Sequence, residues 1–274
     1  MPLQYFDTDG GKLAVEVDGT GPLIICSPGL GDHRDVYGPL ATQLTSVGYT
    51  VARMDNRGHG DSSTSFARYG DEATADDFLF LADKLSKGKS AVLIGNSFSG
   101  GAATIAAGKK PSAVAGIVLN APFLRNPNDF MAVWIMPLLF YRPWGPWLWQ
   151  TYAATLWPGL GTEGAKKRAK GSRDLLTRPG YWAGFQRTVG GLDHRAVGPW
   201  IGKAKGTPAL VVIGDKDPDW SEPMKEAEWV ASCFEEREVL RVEGAGHAPM
   251  FENVEVVGKG VVQFLGRLKG QGRL

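Results

Sequence analysis

The stretch Val92-Leu93-Ile94-Gly95-Asn96-Ser97-Phe98-Ser99-Gly100-Gly101-Ala102 constrains the fold more than any other part of the chain. An apolar run that feeds a serine flanked by small residues, and then an Ala-rich helical segment, describes a strand turning sharply into a helix. Such a turn holds its apical residue in a strained conformation with the side chain in the open. There is no room for bulk two places to either side, and Gly95 and Ser99 are small there. Gly100 and Gly101 let the helix pass close to the strand. Ser97 is therefore a candidate nucleophile, and the free N–H groups where the helix begins, at Phe98, would stabilise an oxyanion beside it. A plain turn can have the same composition, so the remainder of the chain has to decide.

The flanking sequence supplies a sheet for that turn. Residues 3–17 read as two short strands joined at Asp9-Gly10-Gly11, where a hairpin requires positive φ. Leu23-Ile24-Ile25-Cys26 is a continuous apolar run of the kind buried on both faces of a parallel sheet. It ends in Ser27-Pro28-Gly29-Leu30-Gly31-Asp32-His33, whose glycines either turn the Leu30 N–H inward as a second oxyanion donor or simply make a tight turn. Helical spacing over 36–47 and 73–85 alternates with strands at 49–54, 91–94 and 113–119. This alternation predicts βαβ units and a mostly parallel sheet with sites at the carboxyl ends of its strands. The Leu30 loop, the turn Asp55-Asn56-Arg57-Gly58-His59-Gly60 and Ser97 all fall at such ends. His59, set among glycines, reads as a packing and hydrogen-bonding residue.

Between Ala121 and Lys205 the alternation lapses, and seven of the nine tryptophans appear there. Ordinary connections run to about 4–6 residues, so 121–205 reads as a helical cap inserted into a core formed by 1–120 and 206–274. Its tryptophans read as the cap's own core, as the wall of an apolar pocket or as an interfacial foot on lipid. Trp134, Trp147 and Trp182 are the candidates for a pocket wall. The apolar run 130–140 is far short of the ~20 residues that span a bilayer, so no membrane span is expected, although peripheral lipid contact stays open. Lys166-Lys167-Arg168-Ala169-Lys170 reads as a solvated helix face and His194 as polar packing. After Pro208 the alternation resumes. A strand at 209–213 ends in Gly214-Asp215-Lys216-Asp217-Pro218-Asp219, where any of three carboxylates could orient a histidine. A helix at 222–234, a strand at 239–242, the loop Gly244-Ala245-Gly246-His247-Ala248-Pro249 and a closing helix at 254–268 follow.

Charge narrows the partners. Thirty Lys and Arg against 29 Asp and Glu make no electrostatic case for nucleic acid. The two cysteines lack metal-site spacing and form no disulfide framework. With neither a basic nor an apolar leader pattern at the first residues, a cytoplasmic address is expected. Nothing in the pattern fixes an oligomeric state.

Together these residues resemble the α/β-hydrolase family over nearly the whole chain outside 121–205. Gly29-Leu30-Gly31-Asp32-His33, Asp55-Asn56-Arg57-Gly58-His59-Gly60 and Ala121-Pro122-Phe123-Leu124 are most similar to its monoacylglycerol lipase and lysophospholipase branch. That branch usually has His where Pro28 and Asn96 stand and Gly where Ser99 stands. The resemblance implies an α/β-hydrolase fold, a mostly parallel central sheet flanked by helices with an inserted helical cap. It also implies a triad in the chain order Ser97, Asp217, His247, Asp217 being the carboxylate three places after Gly214. Leu30 and Phe98 would supply the oxyanion hole, no metal or cofactor would be needed, and the substrate would be an ester with a hydrophobic part. A thioesterase, a lactonase or a cofactor-free perhydrolase would use the same groups, and a small-molecule-binding protein would keep the scaffold without the reaction. Epoxide and haloalkane hydrolases are disfavoured, since they place a carboxylate where Ser97 stands.

Overall fold

Eight strands account for the apolar and alternating runs: β1 (Leu3–Thr8), β2 (Gly11–Asp18), β3 (Leu23–Ser27), β4 (Thr50–Met54), β5 (Ala91–Asn96), β6 (Val114–Asn120), β7 (Ala209–Gly214) and β8 (Arg237–Val242). The computed structural model, which describes residues 3–126 and 138–274, joins them in one sheet of order β1-β2-β4-β3-β5-β6-β7-β8. β2 is antiparallel to β1 and β4, and every other neighbouring pair is parallel. From β3 the chain first moves outward to β4 and then returns past β3 to β5. The strand order therefore reverses between β3 and β5, and their carboxyl ends flank the crevice where ligands bind in open α/β sheets.

The described α-helices are α1 (Gly38–Ser46), α2 (Asp71–Leu85), α3 (Phe98–Lys109), α4 (Gly145–Ala153), α5 (Gly161–Leu176), α6 (Tyr181–Gly191), α7 (Gly198–Ala204), α8 (Pro223–Ser232), α9 (Pro249–Glu252) and α10 (Val254–Gly270). Successive strand residues face opposite layers. Ile24, Cys26, Val92, Ile94 and Val212 join the core under α1 and α10, whereas Leu23, Ile25, Leu93, Ile117 and Val211 join the core under α2, α3 and α8. The strands β3, β5, β6 and β7 are thus apolar on both sides because both sides are covered. α10 buries Val257, Val261, Phe264, Leu265 and Leu268, a helical stripe whose members each contribute about 1.5–3 kcal/mol on full burial. It sits so close to β6 that a Cβ on Gly116 would lie 2.7 Å from Leu268 Cδ1.

The turn after β4 is a structural tie. Arg57 is buried and donates through Nε and Nη2 to Asp77, at 2.7 and 2.6 Å, and through Nη1 to Asp9. His59 is fully buried beside it, with Nδ1 2.9 Å from the Arg57 carbonyl, and burial lowers its pKa to about 4.

Between β6 and β7 the described residues form helices and turns with no strand. Here the change in composition and the change in packing do not coincide. α7 lies in the layer of α3, where Val197 and Ala204 join the core and Gly108 leaves room for Trp200. The basic run also divides. Lys166, Lys167 and Lys170 are exposed on α5, but Arg168 turns inward to Asp32 at 2.5 Å.

Removing one partner of a buried ion pair leaves the other charge uncompensated and costs about 3–5 kcal/mol. Arg57→Ala is accordingly expected to lower unfolding free energy by about that amount in a urea titration. A change below about 1 kcal/mol would show that the turn is held by something else.

Candidate active site

Ser97 stands between β5 and α3 at φ 60° and ψ −129°, a conformation that only close packing sustains in a residue with a side chain. A Cβ on Gly95 would lie 2.1 Å from the Ser99 carbonyl oxygen, and one on Gly100 would lie 2.7 Å from Pro122 Cβ. Three backbone hydrogen bonds hold the turn. Ser97 N donates to the Asn120 carbonyl at 2.9 Å, and the Ser97 carbonyl accepts from Gly100 N at 2.9 Å and Phe123 N at 3.2 Å. The Ser97 side chain is thereby presented to a cavity of about 520 Å³.

The Leu30 loop crosses beside it, and a Cβ on Gly29 would lie 3.0 Å from Ser97 Cβ. Its position is set from below by a buried polar cluster. The Pro28 carbonyl accepts from Ser99 Oγ at 2.6 Å and from Asn56 Nδ2 at 2.7 Å, while Ser27 Oγ donates to Asn56 Oδ1 at 2.8 Å. Leu30 and Phe98 both line the cavity. Phe98 opens α3, so its N–H has no intrahelical acceptor, and the Leu30 N–H donates to none of the described residues. Two unspent backbone donors therefore adjoin Ser97.

His247 lines the same cavity. Its Nδ1 lies 3.0 and 3.2 Å from the two oxygens of buried Asp217 and 3.3 Å from Asp219 Oδ2. Asp215 turns away, to Arg241 at 2.8 Å and to Gly244 N at 2.8 Å. Asn96 Nδ2 donates to the His247 carbonyl at 2.8 Å, and His247 N donates to the Leu156 carbonyl at 2.8 Å. Glu252 accepts from the N–H groups of Gly246 and Ala248 on either side. Asn96 and Glu252 thus hold the histidine loop, and sequence reasoning assigned a role to neither. Glu252 carries no local signal at all, since its partners are backbone groups. No hydrogen bond joins Ser97 to His247 among the described residues, a looseness common in unliganded sites.

Burial opposes a charge on His247, but Asp217 and Asp219 outweigh it and raise the ring to about 9. Asp219 is raised by its own burial, against the pull of His247, and it accepts a hydrogen bond from Tyr152 of α4. The ligand atoms of Asp217, Asp219 and His247 lie within 4.8 Å of one another, the one such cluster among the described residues. Any cation there would compete with the imidazole proton.

Apart from Asn126, Tyr152 and His194, the remaining walls are apolar, with Leu148, Trp149 and Leu156 from the α4 region, Val189 and Leu192 from the end of α6, and Phe123 after β6. Of the tryptophans expected at the wall, Trp134 lies outside the described residues. Trp147 is 64 % exposed on α4. Trp182 is buried inside the helical segment, where its Nε1 donates to the Phe140 carbonyl at 3.1 Å. Neither lines the cavity. Trp149 does so instead, because two residues along α4 turn a side chain to nearly the opposite face. A wider surface groove beside Lys167 and Arg168 contains none of the convergent groups around Ser97.

An α/β-hydrolase sheet, a strained serine at its switch point and a carboxylate-bound histidine over the same cavity define a class. The chain belongs to the alpha/beta hydrolase family, whose model matches residues 24–259. It is 33% identical over 112 residues to the 2-(acetamidomethylene)succinate hydrolase of Mesorhizobium japonicum, covering 40% of each chain. It is also 33% identical over 118 residues to the monoglyceride lipase of Homo sapiens, covering 39% of this chain and 37% of that one. The chain thus aligns with about two fifths of the length of these relatives. A thermophilic esterase from Thermogutta terrifontis superposes with a TM-score of 0.80 at 22% identity, covering 97% of this chain and 99% of that one.

The charge arrangement is directly measurable. His247 followed by NMR is expected to titrate near pH 9, and Asp219→Asn to move its midpoint toward the ordinary imidazole value near 6.5. An unchanged midpoint in the variant would assign the whole shift to Asp217.

Proposed function

We propose that this alpha/beta hydrolase is a serine hydrolase of carboxylic esters with a hydrophobic part. The observation that carries the reading is the shared cavity, with Ser97 at a strained turn on one side and His247, its Nδ1 on Asp217, on the other. In the first step His247 Nε2 takes the Ser97 proton as Oγ bonds to the ester carbonyl carbon. The N–H groups of Leu30 and Phe98 bind the oxyanion, each donor being worth roughly 10²- to 10³-fold in rate. The bond to the alcohol oxygen then breaks, His247 returns the proton to the leaving alcohol, and an acyl group remains on Ser97. Water, deprotonated by His247, attacks that acyl carbon and releases the acid. Asp217 holds the imidazole in the required tautomer and balances its transient charge.

Residues 121–205 act in this reading as the cap over a core of 1–120 and 206–274, with α7 seated on the core. Trp149, Leu148 and Val189 support an apolar substrate, since they line the cavity with apolar side chains. No described helix is long and apolar enough to cross a membrane. The free cysteines Cys26 and Cys233 suit a reducing, cytoplasmic setting.

Two outcomes test the reading. A fluorophosphonate probe is expected to label the wild-type protein and not Ser97→Ala, with p-nitrophenyl ester turnover lost in parallel. Labelling that persists in the variant would move the nucleophile elsewhere. Because only neutral His247 accepts a proton and its pKa is raised to about 9, kcat/KM is expected to climb about tenfold per unit between pH 7 and that value. A plateau already reached at pH 7 would contradict the two-carboxylate arrangement.

A further inference from the structure

His194 forms a second histidine and carboxylate pair in the wall of the Ser97 cavity. Its Nδ1 lies 2.8 Å from Asp71 Oδ1. Asp71 is buried at the start of α2, and its other oxygen accepts from Asp193 N at 3.2 Å. The two segments are built to meet. Gly70 has φ 92°, and a Cβ there would lie 2.0 Å from the Gly191 carbonyl oxygen, so the backbone before Asp71 sits directly on the end of α6. Asn126 completes the anchorage, its Oδ1 accepting from His194 N at 3.0 Å.

One aromatic ring separates this pair from the first. The His194 imidazole stacks on Phe123, with centroids 5.1 Å apart and planes at 28°, and the His247 ring also neighbours Phe123, with centroids 6.0 Å apart. Phe123 N is itself bonded to the Ser97 carbonyl. A substrate seated against Ser97 and extending past Phe123 therefore reaches His194. In the tautomer whose Nδ1–H faces the carboxylate the lone pair lies on Nε2, and Nε2 has no hydrogen-bond partner among the described residues. Val189 and Leu192, which line the same cavity, carry no side-chain donor.

We propose that His194 is a substrate-binding residue that accepts a hydrogen bond from a hydroxyl group on the ester, remote from the scissile bond. The inference rests on the ester-hydrolase reading and narrows it to hydroxylated esters with an apolar spacer between the hydroxyl and the reacting carbonyl. Asp71 is the positioning residue that fixes the tautomer. In Asp71→Asn the amide oxygen has to face Asp193 N–H, which can only donate, so the amide NH₂ faces Nδ1 and drives the ring proton to Nε2. The site then donates where it formerly accepted.

The experiment compares matched esters of increasing length, p-nitrophenyl alkanoates with their ω-hydroxy counterparts and alkyl butyrates with hydroxyalkyl butyrates. At one length in one series kcat/KM is expected to favour the hydroxyl by roughly 10- to 100-fold, the scale of one unpaired buried acceptor. His194→Phe, which keeps a ring on Phe123, is expected to abolish that preference. Asp71→Asn is expected to extend the preference to ω-methoxy esters, which accept but cannot donate and gain nothing in the wild type, an outcome that lost folding would not produce. Calorimetry of the same pairs on Ser97→Ala reads the subsite without turnover. Wild type that cleaves esters with no hydroxyl preference at any length, or a preference that survives His194→Phe, overturns the proposal alone. Hydroxyl-selective binding without any turnover would instead overturn the ester reading and keep the subsite.

Discussion

The closeness of β5 to the first turn of α3 is the constraint on which the site depends. With 2.1 Å between the Ser99 carbonyl oxygen and any Cβ at position 95, only glycine permits the turn, and the turn forces Ser97 into positive φ. Strain of this kind costs about 1–3 kcal/mol and persists only where the surroundings leave no alternative. Here Asn120, Gly100 and Phe123 each fasten the Ser97 backbone. Asn96, one residue earlier, reaches across to the His247 carbonyl and ties the turn to the histidine loop.

The helical segment between β6 and β7 is tied to the Leu30 loop by polar contacts as well as by apolar ones. Ser172 of α5 donates to the Gly31 carbonyl at 2.5 Å and accepts from Trp149 Nε1 at 2.8 Å. Gly31, at φ 71°, leaves no space for a side chain, since a Cβ would lie 1.9 Å from the Trp149 ring. Arg168 holds Asp32 and lies 4.2 Å over the Phe251 ring. These contacts set the backbone from which the Leu30 N–H projects. Tyr152 adds a link to the charged end by its hydrogen bond to Asp219. The apolar cavity wall, the Leu30 loop and the loop of Asp217 and Asp219 consequently share supports, and a change in any one of them is felt by the others.

The departures from the resembled branch acquire a physical reason in this arrangement. Ser99 replaces a glycine but does not crowd the turn, because its hydroxyl points down to the Pro28 carbonyl, where Asn56 also donates. Asn96 supplies a neutral amide that bridges the Asn120 and His247 carbonyls. Both are buried polar groups whose donors are paired, and paired polar groups rigidify a core instead of weakening it.

Much of this was legible in the order of residues. All eight strands and the crowded turn at Ser97 follow from apolar or alternating runs and small residues, because local sterics and burial act over a few neighbouring positions. The amino-acid sequence by itself determined the fold and the position of Ser97 in it. Tertiary structure alone decided which carboxylates meet His247, since Asp215, Asp217 and Asp219 differ only in where the loop after β7 points them. It also decided that Trp149 and not Trp147 faces the cavity, and that His194, distant from Ser97 in the chain, shares a wall with it. Those outcomes depend on how separate elements pack, and packing between residues far apart in the chain leaves no periodic mark on either segment.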